Sequence, residues 1–223
     1  DDYLGMPTRE NLQVPEDAFL VSMVQANKAN GQIHRKSLAE QFLAFGMFRK
    51  EYPNSYLYLH MEPNKAFGGF DIPRLLKACG LDQSCVLMAD SDILRTGYPQ
   101  EFLAAVYTAS DALLATSYGE GFGVPVVEAQ ACGTRVITSG FAATQDLAGE
   151  DSWIVGGQPF WDEAQGAFFS IPLVQSIVEA LKEAHNAPRG LSEPSMAFAK
   201  EFDVDKVWDK YWLPFWKEKF DAN

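Results

Sequence analysis

The sequence predicts an α/β fold, a doubly wound parallel sheet of about six strands with helices on both faces. Two observations predict it. Six short apolar runs alternate with stretches of helical periodicity, and those runs have the apolar character of strands buried on both faces. The chain has 223 residues, 47% of them apolar and 22% charged, which is enough for one substantial core.

The first run, AFLVSMVQA at 18–26, follows a stretch at 1–17 that contains Pro7 and Pro15 and reads as a lead-in from an upstream domain. Next comes SLAEQFLAFGMFRKEY, where Leu38, Phe42 and Phe45 repeat at helical spacing and Ser37 with Glu40 forms a capping box. SYLYLHM at 55–61 is the second strand, DIPRLLKACG the second helix with its stop at Gly80, and CVLM at 85–88 the third strand. PQEFLAAVYTAS is a helix with Phe102, Val106 and Tyr107 on its apolar side, followed by strands ALLATS at 112–117, TRVIT at 134–138 and SWIV at 152–155. After Val155 regularity lapses through GGQPFWDEAQGAFFSIP; helices resume with LVQSIVEALKEAHNA, PSMAFAKEF and DKVWDKYWLPFWKEKF. The resulting division is a lead-in at 1–17, a binding domain at 18–204 and an aromatic helix at 205–223.

Composition excludes several function classes. A net charge of −12 opposes broad attraction to nucleic acid or anionic lipid. No apolar stretch approaches the roughly 20 residues that span a bilayer. DDYLGMPTRENLQVPED lacks the basic start and apolar core of a secretory signal. Cys79, Cys85 and Cys132 form no Cys-x-x-Cys pair and read as small buried hydrophobes in a reducing, cytoplasmic compartment.

The chemistry concentrates in ALLATSYGEGFGVPVVEAQACGTRVI, which parses as strand, loop, helix, strand. Pro125 suits the first helical turn and Gly133 the stop, giving a short helix over roughly 125–132. In a doubly wound sheet this loop lies at the carboxyl ends of the strands, where ligands bind. Gly121 and Gly123 leave the amides of the helix start open to a close anion, as a phosphate cradle requires. Glu120 precedes that cradle and Glu128 lies one turn into the helix. Carboxylates accept hydrogen bonds from paired hydroxyls, so the pattern fits a diphosphate flanked by two hydroxylated rings, a nucleotide sugar. The loop does not complete the dinucleotide GxGxxG pattern, which disfavours an NAD-dependent oxidoreductase.

GEGFGVPVVEAQACG resembles the Glu-x7-Glu signature of retaining glycosyltransferases with the GT-B fold, of the group 1, family 4 type, and the likeness runs from YTASDALLATSYGEGFG through CGTRVITS. The resemblance implies the carboxyl-terminal, Rossmann-like, donor-binding half of GT-B. It assigns Glu120 to the transferred sugar, Glu128 to the ribose, and the amides of Gly121, Phe122 and Gly123 to the diphosphate. Backbone near Val86 and Leu87 would hold the base. No cofactor or metal is implied, only the substrate nucleotide sugar. The family's lysine matches Lys36, but Asn27 stands roughly where its arginine is expected, so Arg35 becomes the second cation and Lys28 a weaker candidate.

Asp90 and Asp92 resemble an Asp-x-Asp metal motif only superficially. His60 reads as a hydrogen-bonded structural residue, His34 and His185 show no metal-binding spacing, and Ser139–Thr144 is a loop near the sugar or phosphate. Trp208, Trp212 and Trp216 form a stripe for which core packing and contact with an acceptor-binding half are both open. The functional expectation is the donor half of a retaining transferase, inactive without an amino-terminal acceptor domain. The alternative is a noncatalytic regulatory module that binds nucleotide sugars.

Overall fold

The computed structural model of the chain describes residues 8–29, 33–65 and 68–221. Six parallel strands, β1 (Phe19–Val24), β2 (Ser55–His60), β3 (Val86–Met88), β4 (Ala112–Ala115), β5 (Arg135–Ser139) and β6 (Trp153–Val155), lie in the order β3-β2-β1-β4-β5-β6. Each coincides with one of the six apolar runs. The order reverses between β1 and β4, which pair in parallel through Val21 with Ala112 and Ser22 with Leu113. A crevice at such a reversal is where doubly wound sheets bind ligands.

Alternation along β1 divides the core between the two faces. Phe19, Val21 and Met23 point to one face, where α1 (Leu38–Glu51), α2 (Ile72–Ala78) and α7 (Val174–Asn186) cover them with Phe42, Phe45, Ile72 and Leu181. Leu20 and Val24 face the other side, under α4 (Gln100–Ala109) and α5 (Val124–Ala131), with Val106, Tyr107, Val126 and Ala129. A fully buried Phe or Leu stabilises by about 1.5–3 kcal/mol, so these two layers hold the loops above them. Residues 8–17 join this core: Val14 is buried, and Arg9 pairs with Asp111 at 2.7 Å.

The helix stops behave as their glycines require, with φ of +74° at Gly80 and +80° at Gly133. The capping box at the start of α1 does not form. Ser37 has φ 50° and makes no capping bond; its hydroxyl donates to the carbonyl of Thr116 instead. Glu40 accepts from the Tyr118 hydroxyl at 2.6 Å. Both partners are remote in sequence, and tertiary contacts override the local motif.

The irregular stretch after β6 is a two-stranded antiparallel hairpin, β7 (Gly157–Asp162) with β8 (Ala167–Pro172). The Asp90–Asp92 segment opens a short helix, α3 (Ser91–Thr96): Asp90 caps it by accepting from the amides of Asp92 and Ile93 at 2.9 and 3.0 Å. Asp92 is exposed and pairs with Arg95. His185 packs its ring among Phe19, Phe48 and Tyr52.

A single turn, α6 (Ala143–Asp146), links β5 to β6, and beyond β8 the chain forms α7, α8 (Glu193–Ala199), a 3-10 turn at Lys200–Phe202, α9 (Val204–Val207), a π turn at Trp208–Trp212 and α10 (Leu213–Asp221). The aromatic stripe does not pack into the core. Trp208, Trp212 and Trp216 are 48%, 50% and 38% exposed. Among the described residues no helix is long and apolar enough to cross a membrane.

Candidate nucleotide-sugar site

The loop after β1 and the loop after β4 meet at the reversal point, and buried polar contacts fix their relation. Gln25, at the end of β1, donates to the Leu114 carbonyl at 2.9 Å and to Gln41 at 2.8 Å. Gln41 in turn donates to the Lys36 carbonyl at 2.6 Å and to the Ser37 hydroxyl at 2.9 Å. The Tyr118 amide donates to the Arg35 carbonyl at 2.7 Å. Fully satisfied networks of this kind rigidify their surroundings. Neither glutamine stands out in the sequence, where nothing distinguishes a buried amide from a surface one.

On this frame Arg35, Lys36 and Glu120 converge. Arg35 Nη1 lies 2.6 Å from Glu120 Oε2 and donates to the Gly119 carbonyl at 3.0 Å, while Lys36 Nζ bonds the other carboxylate oxygen. Only 10% of the Glu120 side chain is exposed, against 28% for Arg35 and 18% for Lys36. Burial alone would raise the Glu120 carboxyl, but Lys36, Arg35 and the Ser117 hydroxyl outweigh it and hold the pKa below its ordinary value. The cluster carries one net positive charge.

Gly121, Phe122 and Gly123 adjoin it. Gly123 caps α5 with φ +105°, a conformation that suits glycine, and Pro125 sits in the first helical turn. Among the described residues the amides of Gly121, Phe122 and Gly123 have no hydrogen-bond partner. Free amides at a helix start beside two cations form an anion site.

The two acids lie on either flank of this loop. Glu120 lines a cleft of about 310 Å³ with Arg35, Gly121, Phe141, Ala142 and Phe168. Phe141 and Ala142 belong to the predicted 139–144 loop, whose Ser139 and Thr144 are buried. Glu128 lines a larger, mostly apolar groove of about 700 Å³ with Phe122, Val124, Phe202, Val204 and Val207. Its Oε2 accepts from the Tyr107 hydroxyl at 3.0 Å. Burial and then the Glu128 charge raise the Tyr107 pKa, keeping that hydroxyl a donor.

Asn27 is spent on structure. Its side-chain amide donates to the carbonyls of Glu62, Asn64 and Phe70 at 2.9, 3.2 and 2.8 Å and accepts from the Phe70 amide at 2.8 Å. It staples the β1–α1 loop to the β2–α2 loop and contributes nothing to an anion. Replacement by Ala should lower the denaturant midpoint at unchanged m-value, a loss of about 1–3 kcal/mol, because four partly buried backbone bonds lose their partner. A change under about 0.5 kcal/mol would contradict the staple.

The other candidates separate cleanly. Lys28 is exposed. Val86 is buried in the cluster on one face of the sheet and Leu87 is half-buried against the cluster on the other, while Met88 at the carboxyl end of β3 is exposed. His60 lies 3.4 Å from the Tyr58 hydroxyl and edge-on to Tyr98, and burial lowers its pKa. His34 stacks on Phe70 at 3.7 Å. Cys79, Cys85 and Cys132 are free thiols; burial raises Cys79 and Cys132, with Glu128 adding to the latter. Among the described residues no group of three or more His, Cys, Asp or Glu side chains is placed to hold a metal.

Residues 74–164, which include the Gly119–Gly123 loop and both Glu120 and Glu128, match the family model for glycosyl transferases group 1. The chain is similar to that family over this segment. The chain is 37% identical over 113 residues to the D-inositol 3-phosphate glycosyltransferase of Rhodococcus erythropolis, covering 50% of this chain and 24% of that protein. A serotype-specific mannosyltransferase of Escherichia coli is 40% identical over 58 residues, 26% of this chain and 7% of that protein. The match thus spans about a quarter or less of either relative. Among solved structures, sucrose-phosphate synthase from Thermosynechococcus elongatus superimposes with a TM-score of 0.70 at 20% identity, over 96% of this chain and 49% of that one. The carboxyl-terminal domain of a glycosyl transferase group 1 protein from Francisella tularensis gives 0.57 at 18% identity, over 94% and 95%. The fold is the Rossmann-like carboxyl-terminal half of a GT-B protein.

Proposed function

We propose that this chain is the donor-binding half of a retaining glycosyltransferase, which moves a sugar from a nucleotide diphosphate to an acceptor hydroxyl. The observation that carries the reading is the joint placement of Arg35, Lys36 and Glu120 beside the open amides of Gly121–Gly123. Arg35, Lys36 and the amides bind the diphosphate, Glu120 the sugar hydroxyls, and Glu128 the ribose. Backbone at the end of β3, beyond Val86 and Leu87, meets the base.

In the reaction, the bond from the anomeric carbon to the diphosphate oxygen breaks while the acceptor oxygen bonds the same face. The departing phosphate oxygen takes the acceptor's proton. Glu120, bonded by two cations and held at low pKa, is a poor nucleophile, which fits a route without a glycosyl-enzyme. Charge on the leaving group is met by Lys36, Arg35 and the amides, so transfer should survive chelation of divalent metal by EDTA.

Transfer requires an acceptor-binding half to hold the second reactant in register; that half covers the exposed aromatic face of Trp208, Trp212 and Trp216. A cytoplasmic site of action accords with the three free thiols.

A thermal-shift screen with UDP-, GDP- and ADP-sugars tests the reading. At 100 times its dissociation constant a donor should raise the melting temperature by about 5–10 °C. No shift from any of them would oppose it, and binding without donor hydrolysis or transfer when the acceptor half is added would favour a regulatory module instead.

A further inference from the structure

The β7–β8 hairpin has an anchored face and an open face. Phe160 and Phe169 are directly opposed on the first, as are Trp161 and Phe168 on the second. Phe160 meets the Tyr118 ring edge-on at 5.9 Å, and the Ser170 amide donates to the Tyr118 carbonyl at 2.9 Å. Phe169 lies so close to Gly119 that a Cβ there would stand 2.9 Å from its ring. The hairpin is therefore built onto the residues that precede Glu120, and Gly119 is the residue that permits the approach.

The open face carries unspent aromatic surface. Trp161 and Phe168 are 51% and 59% exposed, with ring centroids 5.2 Å apart. Phe168 and the exposed Gln165 of the hairpin turn line the same cleft of about 310 Å³ as Glu120, Arg35 and Phe141. That volume lies at the small end of ligand sites and suits one monosaccharide ring. A sugar ring has apolar C–H faces and a rim of hydroxyls. This wall offers an aromatic face for the first, and an amide with a carboxylate for the second.

We propose that the hairpin is the specificity wall for the transferred sugar, with Phe168 stacking on its ring and Gln165 hydrogen-bonding hydroxyls on the side away from Glu120. The inference rests on the donor-binding reading above. It follows from connectivity: the sugar is bonded to the diphosphate, so a diphosphate at Gly121–Gly123 puts the ring in the adjoining cleft, which the hairpin walls.

Calorimetric titration of the full chain compares UDP with UDP-glucose, GDP with GDP-mannose and ADP with ADP-glucose. For whichever pair binds, Phe168→Ala should weaken the nucleotide sugar about tenfold and leave the free nucleoside diphosphate within about twofold, and Phe168→Trp should restore most of the loss. Gln165→Ala should narrow the preference between UDP-glucose and UDP-galactose, or between the equivalent epimers of the base that binds. Equal weakening of nucleotide sugar and nucleoside diphosphate by Phe168→Ala would make the residue structural and overturn the proposal. So would unchanged binding of both, or an effect confined to the acceptor's KM. If the unaltered chain binds none of the six compounds, the donor-binding reading itself fails, and the hairpin proposal with it.

Discussion

With the acceptor-binding half supplied, Glu120→Gln is expected to lower sugar transfer about a thousandfold while strengthening the binding of inorganic pyrophosphate to the chain. The two effects have one cause. In the unliganded chain Glu120 neutralises one of the two charges on Arg35 and Lys36; glutamine leaves both charges for the anion and removes the acceptor of sugar hydroxyls. A gain of roughly three- to tenfold in pyrophosphate affinity at low salt, shrinking as salt is raised, is the expected titration result. Loss of pyrophosphate binding would mean that Glu120 organises the cations more than it competes for them.

The same substitution should cost about 1–3 kcal/mol of stability at neutral pH, less than a fully buried pair because both cations retain some contact with water. The pH dependence has a definite sign. The folded pKa of Glu120 is lowered, so its contribution is complete above the ordinary glutamate range and is lost as pH falls through the lowered value. Melting curves of the parent and Glu120→Gln should lie furthest apart near neutrality and converge on acidification.

Lys36→Ala is expected to weaken nucleoside diphosphate binding about 10- to 100-fold, the worth of one to two charge-assisted bonds, and to lower transfer about 100- to 1000-fold. Arg35→Ala should cost less on both measures. Arg35 is the more exposed of the two and already spends Nη1 on the Gly119 carbonyl and Glu120 together. Lys36→Met keeps the apolar stem and should behave as Lys36→Ala does, which separates lost charge from lost packing. If Arg35→Ala proves the more damaging, the principal phosphate cation is the arginine.

Most of the fold was legible because strands covered on both faces must be apolar throughout; FLVSMV and ALLA announce themselves without any partner in view. Lys36 is expected beside Glu120 from the family resemblance, and the structure brings the two together where loops at the carboxyl ends of adjacent parallel strands converge. What escaped depends on distant contacts. The Ser37–Glu40 pair has the letters of a capping box, yet Thr116 and Tyr118 claim both side chains. Asn27 looks like a vacant cation position until Phe70 and Glu62 fold against it. The hairpin did leave a trace, two aromatic pairs around a glycine-containing turn in FWDEAQGAFF. Gly156, Gly157 and Pro159 interrupt the apolar pattern before it, and its packing partner, Tyr118, lies some forty residues earlier. For the aromatic tail, sequence left two readings open, and exposure of all three tryptophans rules out burial in this core.

A crystal structure of the chain with bound nucleoside diphosphate tests the central claim most directly. The account predicts the terminal phosphate within hydrogen-bond distance of Lys36 Nζ and of the Gly121 or Phe122 amide, with Glu120 released from at least one of its two cations. A diphosphate seated elsewhere, with the Arg35–Glu120–Lys36 cluster intact, would contradict it.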